Sequence, residues 1–202
     1  MALKLFECSG GDVVLPDRKL VLVGREDGGN LIVNPPREVW ERSELSAKEL
    51  TRWSFLVAAA GAAMLETLPQ LEHGCINYWE AGNWALNVDA EPRGELKSGR
   101  QHRRVHLHLL GRSRNAMSPA LQWGEAPKFP EFSQRHAWAA QHHRLTEGEC
   151  RRIVGHAEVL LREKYGMAAE EIAPWLPCSR CKYPCPAIEG EGSALCNECS
   201  PV

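Results

Sequence analysis

The chain has 202 residues, a formal net charge of −2, 44% hydrophobic residues and 25% charged residues. This length and composition are typical of a globular protein with one sizeable core and a small appendage, and we find no internal repeat or low-complexity tract. The nearly neutral net charge predicts no general attraction to nucleic acid or to an anionic membrane, so any polyanion has to be bound by a local patch.

The N-terminal segment lacks the long apolar run of a secretion signal. No stretch approaches the roughly 18 to 20 apolar residues that a membrane span requires. We therefore expect a cytoplasmic protein without a membrane partner.

The first third of the chain predicts strands followed by a long helix. Three short apolar runs, Val13–Leu15, Leu20–Val23 and Leu31–Val33, are separated by turn residues and predict a β meander. Ser46 and Glu49 then form an S-x-x-E capping box ahead of apolar residues at helical spacing. We expect a helix of about five or six turns packed on the sheet.

The middle of the chain predicts further strands. Short strands are expected at Cys75–Trp79 and Trp84–Leu86, and a polar stretch near residues 87–102 leads into a strand at 103–114. Residues 115–145 show no clear period apart from some helix near 133–142.

A second capping box, Thr146 and Glu149, opens another helix, for which Gly166 is a plausible stop. The order of elements predicts an α+β domain with an antiparallel β-sheet and packed helices.

The strand at 103–114 separates apolar from polar side chains, because alternate residues of a strand point to opposite faces. One face carries Val105, Leu107 and Leu109, and the other carries Arg104, His106 and His108. Two histidines at this spacing are typical of a metal site, of a nucleophile with its helper, or of half-exposed residues on a solvated sheet face. The strand alone leaves all three open.

The segment Val105–Arg112, with the sequence Val-His-Leu-His-Leu-Leu-Gly-Arg, resembles the end of the histidine triad (HIT) signature, in which three histidines alternate with apolar residues. His106 takes the middle position and His108 the third. Leu31–Val39 is similar to the family's hydrophobic strand running into Pro-x-x-His. Ser98–Gln101 lies where the family often has a turn before the triad, so the resemblance covers roughly residues 12–114.

The resemblance implies a HIT-like domain that acts on nucleotides. In the family, the middle histidine attacks the α-phosphorus of a nucleoside polyphosphate, phosphoester or phosphoramidate, and water or another acceptor resolves the nucleotidyl-histidine. Carried over, His106 is the nucleophile and His108 hydrogen-bonds the phosphate or leaving group. An imidazole with a pKa near 6.5 is nucleophilic at pH 7. The family also implies a homodimer and no metal in the chemical step.

Several other side chains are candidates for binding the substrate. Gln101, Arg112 and Arg114 are available to stabilise phosphate oxygens, and Asn83 is our choice for a phosphate-contacting asparagine. Trp79 and Trp84 are candidates for stacking a base, although tryptophans on short strands more often belong to the core.

Two positions depart from the family pattern. Arg104 stands at the first triad position, and Glu38 stands where the family has the histidine of Pro-x-x-His. These positions lie close to the site in the family, so we hypothesise a Glu38–Arg104 ion pair. The alternative is that both are independently exposed.

The loss of two histidines leaves other functions open. One is a non-catalytic nucleotide or nucleic-acid binding module with a degenerate triad. Another is a metalloenzyme that uses His106 and His108 as ligands, although no nearby acid obviously supplies a third ligand.

Five of the eight cysteines lie in the last 25 residues and form two CxxC knuckles. This spacing predicts a closed structural Zn²⁺ site. The favoured ligands are Cys178, Cys181, Cys196 and Cys199, with Cys185 as a substitute; free or redox-active thiols are the alternative.

We thus expect a HIT-like domain at 1–126, a helical extension packed on the core at 127–172 and a zinc module at 173–202. Such modules often contact nucleic acid, but docking on the protein's own domain is equally consistent with the sequence.

Overall fold

A five-stranded antiparallel sheet organises the protein in its computed structural model, which describes residues 2–83, 85–173, 175–177 and 184–186. The strands, in the spatial order β1-β2-β3-β5-β4, are β1 (Leu3–Cys8), β2 (Gly11–Leu15), β3 (Asn30–Asn34), β4 (Cys75–Glu80) and β5 (Leu107–Arg112). The predicted α+β class with an antiparallel sheet is confirmed.

The helices of four or more residues are α1 (Ala47–Thr67), α2 (Leu86–Asp89), α3 (Gly99–His102), α4 (Arg135–Ala140) and α5 (Glu147–Glu163). A separate hairpin pairs β6 (Trp175–Pro177) with β7 (Pro184–Pro186), and β7 lies against β1. None of the helices in the described part of the chain is long and apolar enough to cross a membrane.

The main core lies between one face of the sheet and helices α1 and α5. Leu31, Val33 and Leu109 of the central strands are fully buried there. The helices contribute Trp53, Leu56, Met64, Ile153 and Leu161 to the same core. Burial of each such side chain is worth about 1.5–3 kcal/mol, so this face fixes the register of the sheet.

Both predicted capping boxes are present. The hydroxyl of Ser46 accepts from the Glu49 amide at the start of α1, and Thr146 and Glu149 make the equivalent pair at the start of α5. Each box satisfies backbone N–H groups that have no partner inside the helix. The long helices therefore begin where the sequence predicts.

Two strand predictions were wrong, and one strand was missed. Leu20–Val23 is not a strand: Arg18–Leu20 forms a 3₁₀ turn, and the Asn30 side chain accepts from the amides of Leu22 and Val23, replacing a strand partner. The segment predicted as a strand at Trp84–Leu86 enters α2 at Leu86, and Trp84 lies outside the described residues. Strand β1 was missed.

The histidine strand is shorter than predicted. Strand β5 begins at Leu107, so the segment 103–106 precedes the ladder rather than belonging to it. Other contacts hold this segment in place, as described below.

Glu149 joins distant parts of the fold through a buried carboxylate, which is 3% exposed. Arg25 donates two hydrogen bonds to it, at 2.9 and 3.1 Å, and Gln70 donates another at 3.0 Å. Burial alone would raise the pKa of Glu149, but the hydrogen bonds from Arg25, Thr146 and Gln70 lower it to about 2.

We predict that Glu149→Gln lowers the free energy of unfolding at pH 7 by about 2 kcal/mol, because Arg25 loses its charged acceptor. Since the folded pKa lies below the unfolded value near 4.5, the stabilisation is present above pH 4.5 and is lost as pH falls towards 2. Urea denaturation across this range measures the difference. Glu163→Gln, an exposed position on the same helix, is the control, and equal behaviour of the two variants would contradict the prediction.

Candidate functional site

His106 and His108 meet at the start of β5, on the face opposite the main core. Their Nε2 atoms are 3.0 Å apart, and the ring planes are inclined by 62°. Val105, Leu107 and Leu109 are buried beneath them, at 3%, 9% and 0% exposure. The alternation predicted from the sequence is present, and it presents two imidazoles to a single point.

The hydrogen bonds of the two rings define their tautomers. Nδ1 of His106 lies 2.9 Å from the carbonyl oxygen of Arg104, which can only accept, so Nδ1 carries the proton in the neutral ring. Nε2 of His106 then holds a lone pair, and Nε2–H of His108 donates to it. Nδ1 of His108 is buried and finds no hydrogen-bond partner among the described residues, which fits the unprotonated nitrogen of a neutral ring.

Both imidazoles are neutral at pH 7. Burial lowers the pKa of His106, although the Arg104 carbonyl and the charge of Glu80 act in the opposite direction. Burial, followed by the proximity of His106, lowers the pKa of His108 to about 3. The pair therefore offers a neutral nitrogen nucleophile over the physiological pH range.

Aromatic rings adjoin the histidine pair. Trp79 is the β4 residue opposite His108, and the two ring centroids are 5.4 Å apart. Phe129 stacks on the far side of Trp79 with an interplanar angle of 7°. Trp79 is 39% exposed rather than a core residue, so an apolar surface lies beside the imidazoles. No local pattern indicated that Phe129 lies near the site, because Phe129 belongs to a segment without periodicity.

Backbone contacts fix the segment before β5. The amide of Val105 donates to the carbonyl of Val39 at 2.9 Å, and the amide of Arg104 donates to the carbonyl of Gly82 at 3.3 Å. The segment is thus held between the loop after β3 and the turn after β4. These contacts place the Arg104 carbonyl under the His106 ring.

The predicted ion pair between Glu38 and Arg104 is present. Nε of Arg104 donates to Oε2 of Glu38 at 2.8 Å. Glu38 is 81% exposed at its side chain, so the pair contributes little to stability.

Further ion pairs surround this one, and sequence reasoning missed them. Three carboxylates spaced three residues apart in the loop after β3 face three arginines ahead of β5. The additional pairs are Arg103–Glu41 at 3.1 Å, Arg100–Glu44 at 3.4 Å and Arg42–Glu80 at 2.6 Å. The acids clustered at 38, 41 and 44 and the bases clustered at 100, 103 and 104 were the feature of the sequence that could have indicated these pairs.

Gln101 and Asn83 lie near the site without a contact to either histidine among the described hydrogen bonds. Gln101 is exposed on α3, the turn expected before the triad. Asn83 is exposed in a tight turn, where it and Gly82 both adopt positive φ angles, of 53° and 61°. The structure brings their segments close to Arg104 but assigns no role to their side chains.

Arg112 and Arg114 do not join the histidine pair. Arg112 is 6% exposed, and its Nη2 donates to the carbonyls of Gln122 and Glu125 at 3.0 and 2.9 Å. Arg114 donates to the carbonyl of His73 and lies over the ring of Trp123. Both belong to the far end of β5, where Arg112 anchors a surface segment, so the substrate contacts predicted for them lack support in the geometry.

The predicted zinc ligands Cys178, Cys181, Cys196 and Cys199 lie outside the described residues. Cys185 falls in β7, of which the structure describes the backbone. Within the described ranges, no group of three or more His, Cys, Asp or Glu side chains could hold a metal ion. Among those residues, His106 and His108 belong to no group of three candidate ligands.

No protein-family model matches this chain, and a search of curated proteins returns no match either. The observations that bear on function are therefore the geometry and sequence pattern around His106 and His108.

We predict that the histidine pair makes the free energy of unfolding decrease as the pH is lowered. Because the folded pKa of His108 is about 3 and that of His106 is also lowered, the unfolded chain takes up protons first below pH 6.5. The contribution of the neutral pair to stability is therefore complete above about pH 6.5. Below that pH, the free energy of unfolding falls by up to about 1.4 kcal/mol per pH unit for each histidine. Urea denaturation between pH 7.5 and 4.5 measures this slope.

His108→Gln should flatten that slope, whereas His73→Gln, at a side chain that is 78% exposed, serves as the matched control. Nitrogen NMR of the imidazoles should show protonated Nδ1 in His106 and protonated Nε2 in His108. A wild-type slope unchanged in His108→Gln would count against the buried neutral pair.

We also predict that Glu38 and Arg104 are coupled. In a double-mutant cycle of unfolding free energies with Glu38→Ala and Arg104→Ala, the coupling energy should be above zero but below about 1 kcal/mol, because Glu38 is largely exposed. Exchanging the charges, Glu38→Arg with Arg104→Glu, should restore part of the loss. A cycle between Glu38→Ala and Lys48→Ala is the reference, in which the changes in unfolding free energy should add. If they also add strictly in the Glu38–Arg104 cycle, the two side chains are not coupled.

Proposed function

We propose that this protein is a HIT-like nucleotide hydrolase or nucleotidyltransferase that attacks the α-phosphorus of a nucleoside polyphosphate, phosphoester or phosphoramidate. The observation that carries the proposal is the arrangement of His106, with Nδ1–H bonded to the Arg104 carbonyl and Nε2 facing His108 at 3.0 Å. This arrangement leaves Nε2 of His106 unprotonated and places a hydrogen-bond donor, His108, beside it.

In the first step, Nε2 of His106 forms a bond to the α-phosphorus, and the bond from phosphorus to the leaving oxygen or nitrogen breaks. The leaving group departs with that electron pair; a phosphate leaves as the anion, and an amine takes up a proton from solvent. His106 becomes positively charged, and the carbonyl of Arg104 stabilises this charge through the Nδ1–H bond. In the second step water attacks phosphorus and releases a proton to solvent, while the N–P bond breaks and the electron pair returns to Nε2.

His108 supplies the hydrogen-bond donor for the phosphoryl group. Without substrate its Nε2–H points at His106, so a bound phosphate oxygen replaces the His106 lone pair as the acceptor. Such a donor stabilises the charge that develops on the equatorial oxygens. Because His108 is neutral, the donor is an imidazole N–H and needs no protonation at pH 7.

The surroundings of the pair suit a nucleotide. Trp79 and Phe129 provide an apolar surface on which a base can stack, adjacent to His108. On the other side, the arginines at positions 100, 103 and 104 give a cationic environment that carboxylates balance while no phosphate is bound.

A second candidate function is nucleotide binding without turnover. It is favoured by Arg104 at the first triad position, with its side chain directed at Glu38, and by the hydrogen bond that already occupies the His106 lone pair. In that case the fold binds a nucleotide but forms no covalent intermediate.

The proposal includes a cytoplasmic homodimer and a zinc module formed by the C-terminal cysteines. Strand β4 lies at one edge of the five-stranded sheet, and its Tyr78 and Trp79 side chains are 50% and 39% exposed. An edge strand with exposed aromatic residues suits pairing with a second copy. The CxxC spacing remains the support for structural Zn²⁺.

The test is to trap the intermediate. The full-length protein is mixed with dinucleoside polyphosphates and adenylated amines that carry a label at the α-phosphate, and the reaction is quenched in base, where a phosphoramidate survives. We predict a labelled protein that is absent in His106→Ala, and product formation reduced at least about 100-fold, the scale of losing one donor to a developing oxyanion, in His108→Ala.

His73→Ala is the matched histidine control and should retain the adduct. Equilibrium binding of a non-hydrolysable analogue separates the two candidate functions. Tight binding without adduct or product would establish the binding module, and neither binding nor adduct would overturn both.

A further inference from the structure

A second site lies at another end of the fold, away from the histidine pair. A groove of about 880 Å³ opens between the 3₁₀ turns that join β2 to β3 and the segment from α4 to the start of α5. We call it the basic groove, and its cationic and imidazole lining includes Arg18, Lys19, Arg25, Arg144, His136 and His143. None of these residues contributes to the chemistry proposed above.

The carboxylates of the basic groove already have partners. Glu147 pairs with Arg151, one turn along α5, and Glu26 lies near both Arg25 and His143. Arg25 is also bound by the buried Glu149. The acids of the groove are therefore engaged by neighbouring cations and do not screen the outer wall.

Arg18 and Lys19 form that outer wall. Both are exposed, and the charge of Lys19 helps to lower the pKa of the neighbouring Asp17 carboxyl. The groove thus combines two exposed cations on one wall with imidazoles on the other. In a chain of net charge −2, such a local concentration of positive charge is not a consequence of overall composition.

The shape of the groove indicates the class of ligand. Its volume exceeds what one phosphate needs, and its donors are spread along its length, so several anionic groups in a row fit it better than a single ion. A concave site also receives a flexible strand more readily than a flat lipid surface or a rigid duplex. Planar arginine and histidine side chains are typical contacts for a nucleic-acid backbone and its bases.

We infer that the basic groove binds the phosphate backbone of a single-stranded nucleic acid. Arg18 and Lys19 contact phosphates, and the imidazoles of His136 and His143 line the opposite wall. This inference is independent of the proposed nucleotidyl chemistry, because it uses none of the residues around His106.

The test measures fluorescence anisotropy of labelled oligo-dT and oligo-U, about 12 nucleotides long, with the full-length protein at several salt concentrations. We expect Arg18→Glu/Lys19→Glu to weaken binding at least about tenfold. Arg18→Ala/Lys19→Ala should reduce the slope of log K against log salt by about 1.4, since each lost phosphate contact removes about 0.7 for a single strand. Circular dichroism checks that the variants are folded.

Matched variants identify the binding surface. Lys48→Ala/Lys164→Ala removes two exposed lysines elsewhere and should bind like the wild type, as should His106→Ala. The inference is overturned if the wild type does not bind, if duplex DNA or anionic phosphatidylserine vesicles bind more tightly than the single strand, or if the groove variants bind normally. It is also overturned if Arg180→Ala/Lys182→Ala, in the predicted zinc module, abolishes binding while the groove variants do not.

Discussion

The candidate site depends on the burial of one face of strand β5. Leu107 and Leu109 are buried in the main core, between β3 and β4 in the sheet, and their burial sets the register of the strand. A shift by one residue would place His108 in the apolar core and expose both leucines. The strand period therefore directs His106 and His108 to the other face, where their Nε2 atoms meet.

Arg104 serves this arrangement through two separate groups. Its backbone carbonyl accepts from Nδ1 of His106 and so selects the tautomer that leaves Nε2 unprotonated. Its guanidinium is directed to Glu38. The backbone function tolerates any side chain, so the arginine at this position leaves the ring of His106 undisturbed.

The two sites of the molecule differ in their electrostatics. Around the histidine pair, acids at 38, 41 and 44 balance the arginines that face them, and the imidazoles themselves are neutral because they are buried. In the basic groove, Arg18 and Lys19 are exposed cations beside the imidazoles of His136 and His143. The first site suits a reaction at a neutral nitrogen, and the second suits attraction of a polyanion.

The sequence by itself determined the α+β class, both capping boxes and the alternation of β5, because each follows from local spacing. The Glu38–Arg104 pair was a hypothesis from the family resemblance and the opposite charges of the two residues, and the structure contains it. The sequence predicted a strand at Leu20–Val23, where the tertiary structure instead uses the Asn30 side chain to satisfy the backbone. It also assigned Arg112 to a substrate, although burial commits that residue to the carbonyls of Gln122 and Glu125. Only the folded chain decided that Trp79 lies beside His108 and Phe129 stacks on Trp79, and that residues 18–25 and 136–147 form one groove, because these contacts join segments that no local pattern relates.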